Sequence, residues 1–274
     1  MKRFLLAASA MLTMCCGTMA QETTPFEGEM MYENTVTSSK GMQRLFPSLL
    51  KDGSYEMQFV IKGNVRKVSD TYAGLIQYEN RIKDMAYVYC PLLKKGFKYK
   101  ISKYEKQQEE KYGEASEGKV TKTGEVKEIE GLKCHHFKGD YVQAFKLLGS
   151  EITVTCNIDY WACLDFAPEW MGSVKIEGMP ALFDEMQIAT FPLLGSQKQH
   201  QNVTLTEVKR RPVDNTELTP PSDVEFTLSD DPLSSLGKLQ KEISKYIKKN
   251  NLIDTGVKIH HGKIEEEVLD DAWD

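Results

Sequence analysis

Residues 54–101 constrain the chain most. Tyr55, Met57, Phe59 and Ile61 alternate with polar neighbours as far as Gly63, and Val65, Val68 and residues 73–78 continue the apolar pattern. In residues 82–90, Met85, Tyr87 and Tyr89 share one parity and Ala86, Val88 and Cys90 the other; Phe97, Tyr99 and Ile101 are in step after Gly96. A period of two puts alternate side chains on opposite faces of a strand. Turn residues recur at the spacing of short strands and no βαβ rhythm interrupts them, so an antiparallel meander is expected.

The flanking stretches extend that sheet. In residues 26–36 (FEGEMMYENTV), Phe26, Met30, Tyr32 and Val36 lie an even number of positions apart, which predicts a strand with a bulge at Gly28. Residues 120–122 and 126–130 are short runs punctuated by Gly124 and Gly131, with a third run at 132–137, the spacing of strand, tight turn, strand. In residues 151–161, Ile152, Val154, Cys156 and Ile158 oppose Thr153, Thr155, Asn157 and Asp159. Residues 178–180 read as a turn before a last core strand, and 203–209 as that strand's partner.

Three stretches depart from this pattern. Residues 38–52 carry Met42, Leu45, Phe46, Leu49 and Leu50 at helical spacing around Pro47, which fits a kinked helix or two short turns packed on the sheet or lying as a flap over a cavity. Residues 103–118 are dense in charge and read as a solvated helix or loop, and residues 141–148 are too apolar to assign between helix and strand. After the proline-rich segment 212–223, Asp231 and Pro232 open a helix whose Leu233, Leu236, Leu239, Ile243, Tyr246 and Ile247 form one stripe among lysines. Residues 229–274, this helix and an acidic tail, are expected as a unit apart from residues 21–228, docked on the body or on a partner.

Residues 1–20 have Lys2 and Arg3, an apolar run and a Thr18-Met19-Ala20 ending, which predicts a cleaved secretory signal and an exported chain, periplasmic, outer-membrane-associated or secreted. A rival reading is lipidation at Cys15 or Cys16. The apolar run is too short for a comfortable membrane span, and no later segment is apolar enough for one. The formal net charge of −5 leaves no basic footprint for nucleic acid. Beyond the leader stand Cys90, Cys134, Cys156 and Cys163, an even number that in an exported chain suggests disulfides of undetermined connectivity. A Cys134–Cys156 bridge would contribute about 3 kcal/mol; buried thiols are the alternative.

At this point the residues carry a resemblance. Lys122-Thr123-Gly124, Val126, Ile129-Glu130-Gly131 and Lys133-Cys134, a strand ending in Trp161, a turn with Gly178 and Pro180, and a late EVKRRPVDNTELTPPSDVEF resemble an exported bacterial family known as a domain of unknown function. That family is similar in fold to the periplasmic lipoprotein-localisation carriers of the LolA and LolB type. The likeness covers roughly residues 26–226. It implies an α+β fold: a strongly curved antiparallel sheet, an open half-barrel, with short helices over its concave face. Carriers of this fold hold acyl chains there, but no local motif carries their functional residues onto this chain, and fold alone does not transfer function.

The chemistry of the sequence is sparse. No nucleophile elbow, zinc-protease helix motif or phosphate-cradling glycine loop is present. Cys134 and His136, two apart on a strand, share a face and form the most tempting catalytic pair. His135-His136 and His260-His261 are poor chelates, because adjacent strand residues point oppositely, and no further metal ligand stands at a usual spacing. No cofactor is expected. Met30, Tyr32, Met57, Phe59, Met85, Tyr87 and Met179 are the candidate apolar ligand-binding residues, since flexible thioethers suit variable apolar ligands, although they also make ordinary cores.

Three functions follow as expectations. The first is a non-enzymatic binding protein that carries acyl chains, lipids or lipoproteins in an apolar half-barrel. The second is an envelope interaction or assembly protein with a filled core and a partner on its C-terminal helix. The third, a Cys134-dependent enzyme, ranks last.

Overall fold

The computed structural model describes residues 25–40, 53–70, 74–112, 117–147, 150–166, 169–171, 174–191, 195–250, 258–260 and 263–265. The expected signal, the helical pattern beyond Lys40 and the acidic tail from residue 266 lie outside the described residues.

Among the described residues, alternation is realised as one open sheet of twelve strands. They are β1 (Glu27–Ser38), β2 (Gly53–Lys62), β3 (Val65–Asp70), β4 (Leu75–Asn80), β5 (Met85–Cys90), β6 (Lys95–Tyr99), β7 (Glu117–Ile129), β8 (Leu132–Leu147), β9 (Ser150–Cys163), β12 (Met179–Phe191), β13 (Gly195–Arg210) and β14 (Phe226–Leu228). The order across the sheet is β14-β6-β5-β4-β3-β2-β1-β13-β12-β9-β8-β7. Every pairing is antiparallel except that of β14 with β6. Short hairpins β10 (Glu169–Met171) with β11 (Val174–Ile176), and β15 (Lys258–His260) with β16 (Lys263–Glu265), stand apart from it. The fold is therefore α+β and mostly sheet, with helices α1 (Ile101–Tyr112) and α2 (Pro232–Lys249).

Directly paired residues of an antiparallel ladder share a face, so the register sorts the sheet into a Met30 face and a Met31 face. Met30 pairs with Phe59, Phe59 with Val68, Val68 with Gln77, and Gln77 with Val88. Both helices pack on the Met30 face over β4–β6, where Ile101, Tyr104, Leu236, Leu239 and Ile243 close a core with Leu75, Ala86, Val88, Phe97 and Tyr99. Of the two placements expected for the C-terminal helix, docking on the body is the one observed, because its apolar stripe finds β5 and β6. The charged stretch 103–118 begins as an anchored helix, since Tyr104 and Gln108 turn inward at i, i+4 spacing.

The segment 211–220 lies against the Met31 face. Val213 and Leu218 bury Val60, and Lys62 Nζ donates to the Val213 carbonyl at 2.8 Å. Arg211 holds this segment down by hydrogen bonds to Glu29 and Glu217.

Local corrections have local causes. The expected turn at Gly124 is a register shift inside β7, between Lys122 and Val126, with Gly124 at φ 93°. The tight turn is at Glu130-Gly131, both at positive φ, as a two-residue hairpin loop requires. The bulge expected at Gly28 falls instead between Met31 and Tyr32, opposite β13. Residues 141–147 continue β8. Asp231 caps α2 by accepting from the Ser234 amide at 3.0 Å.

Candidate functional site

The Met30 face of β1 and β2 brings four of the expected residues together. Met30 and Tyr32 pair with Phe59 and Met57, all are buried, and the Tyr32 and Phe59 rings meet edge-on at 5.1 Å. β12, β9 and β8 extend this surface with Phe183, Tyr160 and Phe137; the last two rings stack at 4.9 Å. Met179 belongs to the same apolar cluster, beyond the irregularity between Pro180 and Leu182.

Met85 and Tyr87 lie elsewhere. Their parity in β5 puts Ala86 and Val88 on the Met30 face and sends them to the Met31 face, where Tyr87 meets Phe226 at 5.2 Å. They cannot line one surface with Met30.

Polar residues missed by the sequence reading occupy the Met30 face beside the apolar patch. At the C-terminal end of β1, Asn34 is 0% exposed, and Gln197, Gln199 and Gln201 of β13 are buried nearby. Gln201 Nε2 donates to the Tyr55 hydroxyl at 3.5 Å, and Ser39 Oγ donates to Gln197 Oε1 at 2.8 Å. Neither Oδ1 nor Nδ2 of Asn34, nor Oε1 of Gln199, has a hydrogen-bond partner among the described residues. On the other side of Met57, Arg66 Nε donates to Glu79 Oε2 at 2.8 Å, and Gln77 Nε2 to Glu79 Oε1 at 2.5 Å. Their signal was in the sequence as parity: Gln197, Gln199 and Gln201 are in step with Val203 and Leu205, and Asn34 with Tyr32 and Val36.

The cysteines and histidines form a separate group. The Cys134–Cys156 bridge is incompatible with the register: Cys134 faces Cys163, whereas Cys156 faces Tyr141, seven positions along β8. At about 3.3 Å per residue that is roughly 23 Å, far beyond a disulfide's reach. The structure holds the cysteines as thiols. Burial, with the neighbouring Cys163, pushes the Cys134 thiol up to about 12, which keeps it protonated and poorly nucleophilic.

His136 shares a face with Cys134 but is engaged by other partners. Its Nε2 meets Asp159 Oδ1 at 2.8 Å, its Nδ1 meets Thr123 Oγ1 at 3.0 Å, and its ring stacks on Trp161 at 4.5 Å. Lys127 Nζ sits 4.1 Å from the Trp161 ring. Among the described residues, no cluster of three or more His, Cys, Asp or Glu side chains is placed to hold a metal ion, and no helix is long and apolar enough to cross a membrane.

Compared with protein-family models and with curated proteins, the chain matches none.

Proposed function

We propose that this protein is a non-enzymatic binding protein of the cell envelope that receives an amphiphile, an acyl chain, lipid or lipoprotein anchor, on the Met30 face of a curved, half-open sheet of the LolA and LolB kind. One observation carries this reading: an apolar patch of Met30, Tyr32, Met57 and Phe59 adjoins buried amides whose hydrogen-bonding groups are unmet among the described residues. Buried polar atoms of folded proteins are nearly always paired, so such a group calls for a partner. An amphiphile supplies both halves of the match. Met57 and Phe59 are 0% exposed, so the ligand enters by displacing what covers the face.

That same complete burial favours a second reading, in which the core is filled and a partner with an acidic surface docks on the exposed Lys238, Lys241, Lys245 and Lys249 of α2. Titration with a dansyl-labelled fatty acid separates the two. Saturable binding that weakens about tenfold in Asn34→Leu, the worth of one well-made hydrogen bond, supports the amphiphile. No saturable binding, or binding indifferent to Asn34→Leu, removes the match on which it rests.

A further inference from the structure

The register of β8 and β9 sets Cys134 directly opposite Cys163. Opposed Cα atoms of an antiparallel pair are about 4.5–5.5 Å apart, inside the span of about 4.4–6.8 Å that a disulfide bridges. Both side chains are buried in one apolar cluster, and directly opposed residues share a face, so the two sulfurs lie on the same side of the sheet. The other two cysteines are placed differently. Cys90 is opposed by Lys95, and Cys156 by Tyr141 and Gln187.

We propose that Cys134 and Cys163 are a disulfide-forming pair that locks β8 to β9 when the chain folds in the presence of a disulfide oxidant. The attacking thiolate of one cysteine displaces a thiol from the oxidant and forms a mixed disulfide. The second cysteine then displaces the other half, so one Sγ–Sγ bond forms, two thiol protons leave, and the oxidant takes two electrons as two thiols. The step belongs to folding. Once Cys134 is enclosed, its thiol is held protonated and out of reach of a solution oxidant. The bridge then secures the end of the sheet that carries β7, the last strand on that side.

The lock is independent of what the Met30 face binds. Its test is to refold the full chain, carrying Cys15→Ser and Cys16→Ser, from denaturant in a mixture of reduced and oxidised glutathione. Remaining thiols are alkylated and the unreduced protein is mapped by mass spectrometry. The expected result is a Cys134–Cys163 cross-linked peptide, with Cys90 and Cys156 alkylated, and a melting temperature that falls by about 8 °C on reduction. Cys90→Ser/Cys156→Ser should keep the cross-link. Alkylation of all four cysteines, or a linkage from Cys134 or Cys163 to Cys90 or Cys156, would overturn the proposal.

Discussion

Arg66 and Glu79 face each other across β3 and β4 with Nε and Oε2 2.8 Å apart, and their side chains are only 9% and 1% exposed. They stand at positions where the parity of Val68 and Leu75 calls for apolar side chains. Removing Glu79 takes a short charged contact from the buried Arg66 and the acceptor of Gln77 Nε2. Glu79→Ala should therefore lose about 3–5 kcal/mol in urea unfolding, whereas Arg66→Met/Glu79→Leu should recover most of it. A single variant as stable as the parent would mean that the pair is solvated.

Gly178 and Gly131 share a left-handed backbone but not a setting. A Cβ on Gly178, at φ 72°, would meet the Cys163 carbonyl oxygen in the neighbouring strand, whereas one on Gly131, at φ 75°, meets nothing within 4 Å. Gly131→Ala should cost about 1 kcal/mol from conformation alone. Gly178→Ala should cost clearly more, because the contact is with backbone. Equal losses in paired unfolding curves would show that β12 moves away freely there.

Arg211 lowers the Glu217 carboxyl from 4.5 to about 2 through their hydrogen bonds. A carboxylate depressed by folding contributes its stability fully above its unfolded value and loses it as pH falls toward the folded one. The urea midpoint should therefore drop between pH 5 and pH 2, and drop less in Glu217→Gln. Because these groups are partly exposed, the difference should be small and shrink with salt. Parallel profiles for the two proteins would contradict the assignment.

Asn34→Leu should stabilise the ligand-free protein by about 1 kcal/mol, since a buried amide without a partner is exchanged for an apolar group of similar size. Destabilisation on chemical unfolding would mean that the Asn34 amide is satisfied in the folded protein.

Much of the sheet was legible because a period of two survives translation into strands. Residues 53–99 hold β2–β6, with Ala86, Val88 and Cys90 opposite in parity to Met85, Tyr87 and Tyr89 as expected, whereas Ile101 opens α1 instead of continuing the strand of Phe97 and Tyr99. The helix starting at Pro232 is marked by its cap and stripe. What failed depended on long-range register. Met85 and Tyr87 were chosen for their chemistry, but four successive pairings from β1 to β5 put Ala86 and Val88 on the Met30 face instead. The opposition of Cys134 and Cys163 likewise follows from how β8 and β9 meet, which spacing alone leaves open. Gly124 misled because a glycine bulge and a glycine turn look alike in sequence. The buried glutamines of β13 share the parity of Val203 and Leu205, but a polar side chain carries no apolar signal of burial.

The most direct test of the Met30 face as an amphiphile site is native mass spectrometry of the protein purified without detergent from its own host's envelope, followed by denaturing extraction. A reproducible excess over the polypeptide mass, resolving into a lipid or lipopeptide and diminished in Asn34→Leu, is the expected result. A mass equal to the polypeptide alone, with no uptake when lipids are offered, would contradict it and leave the face as a filled core.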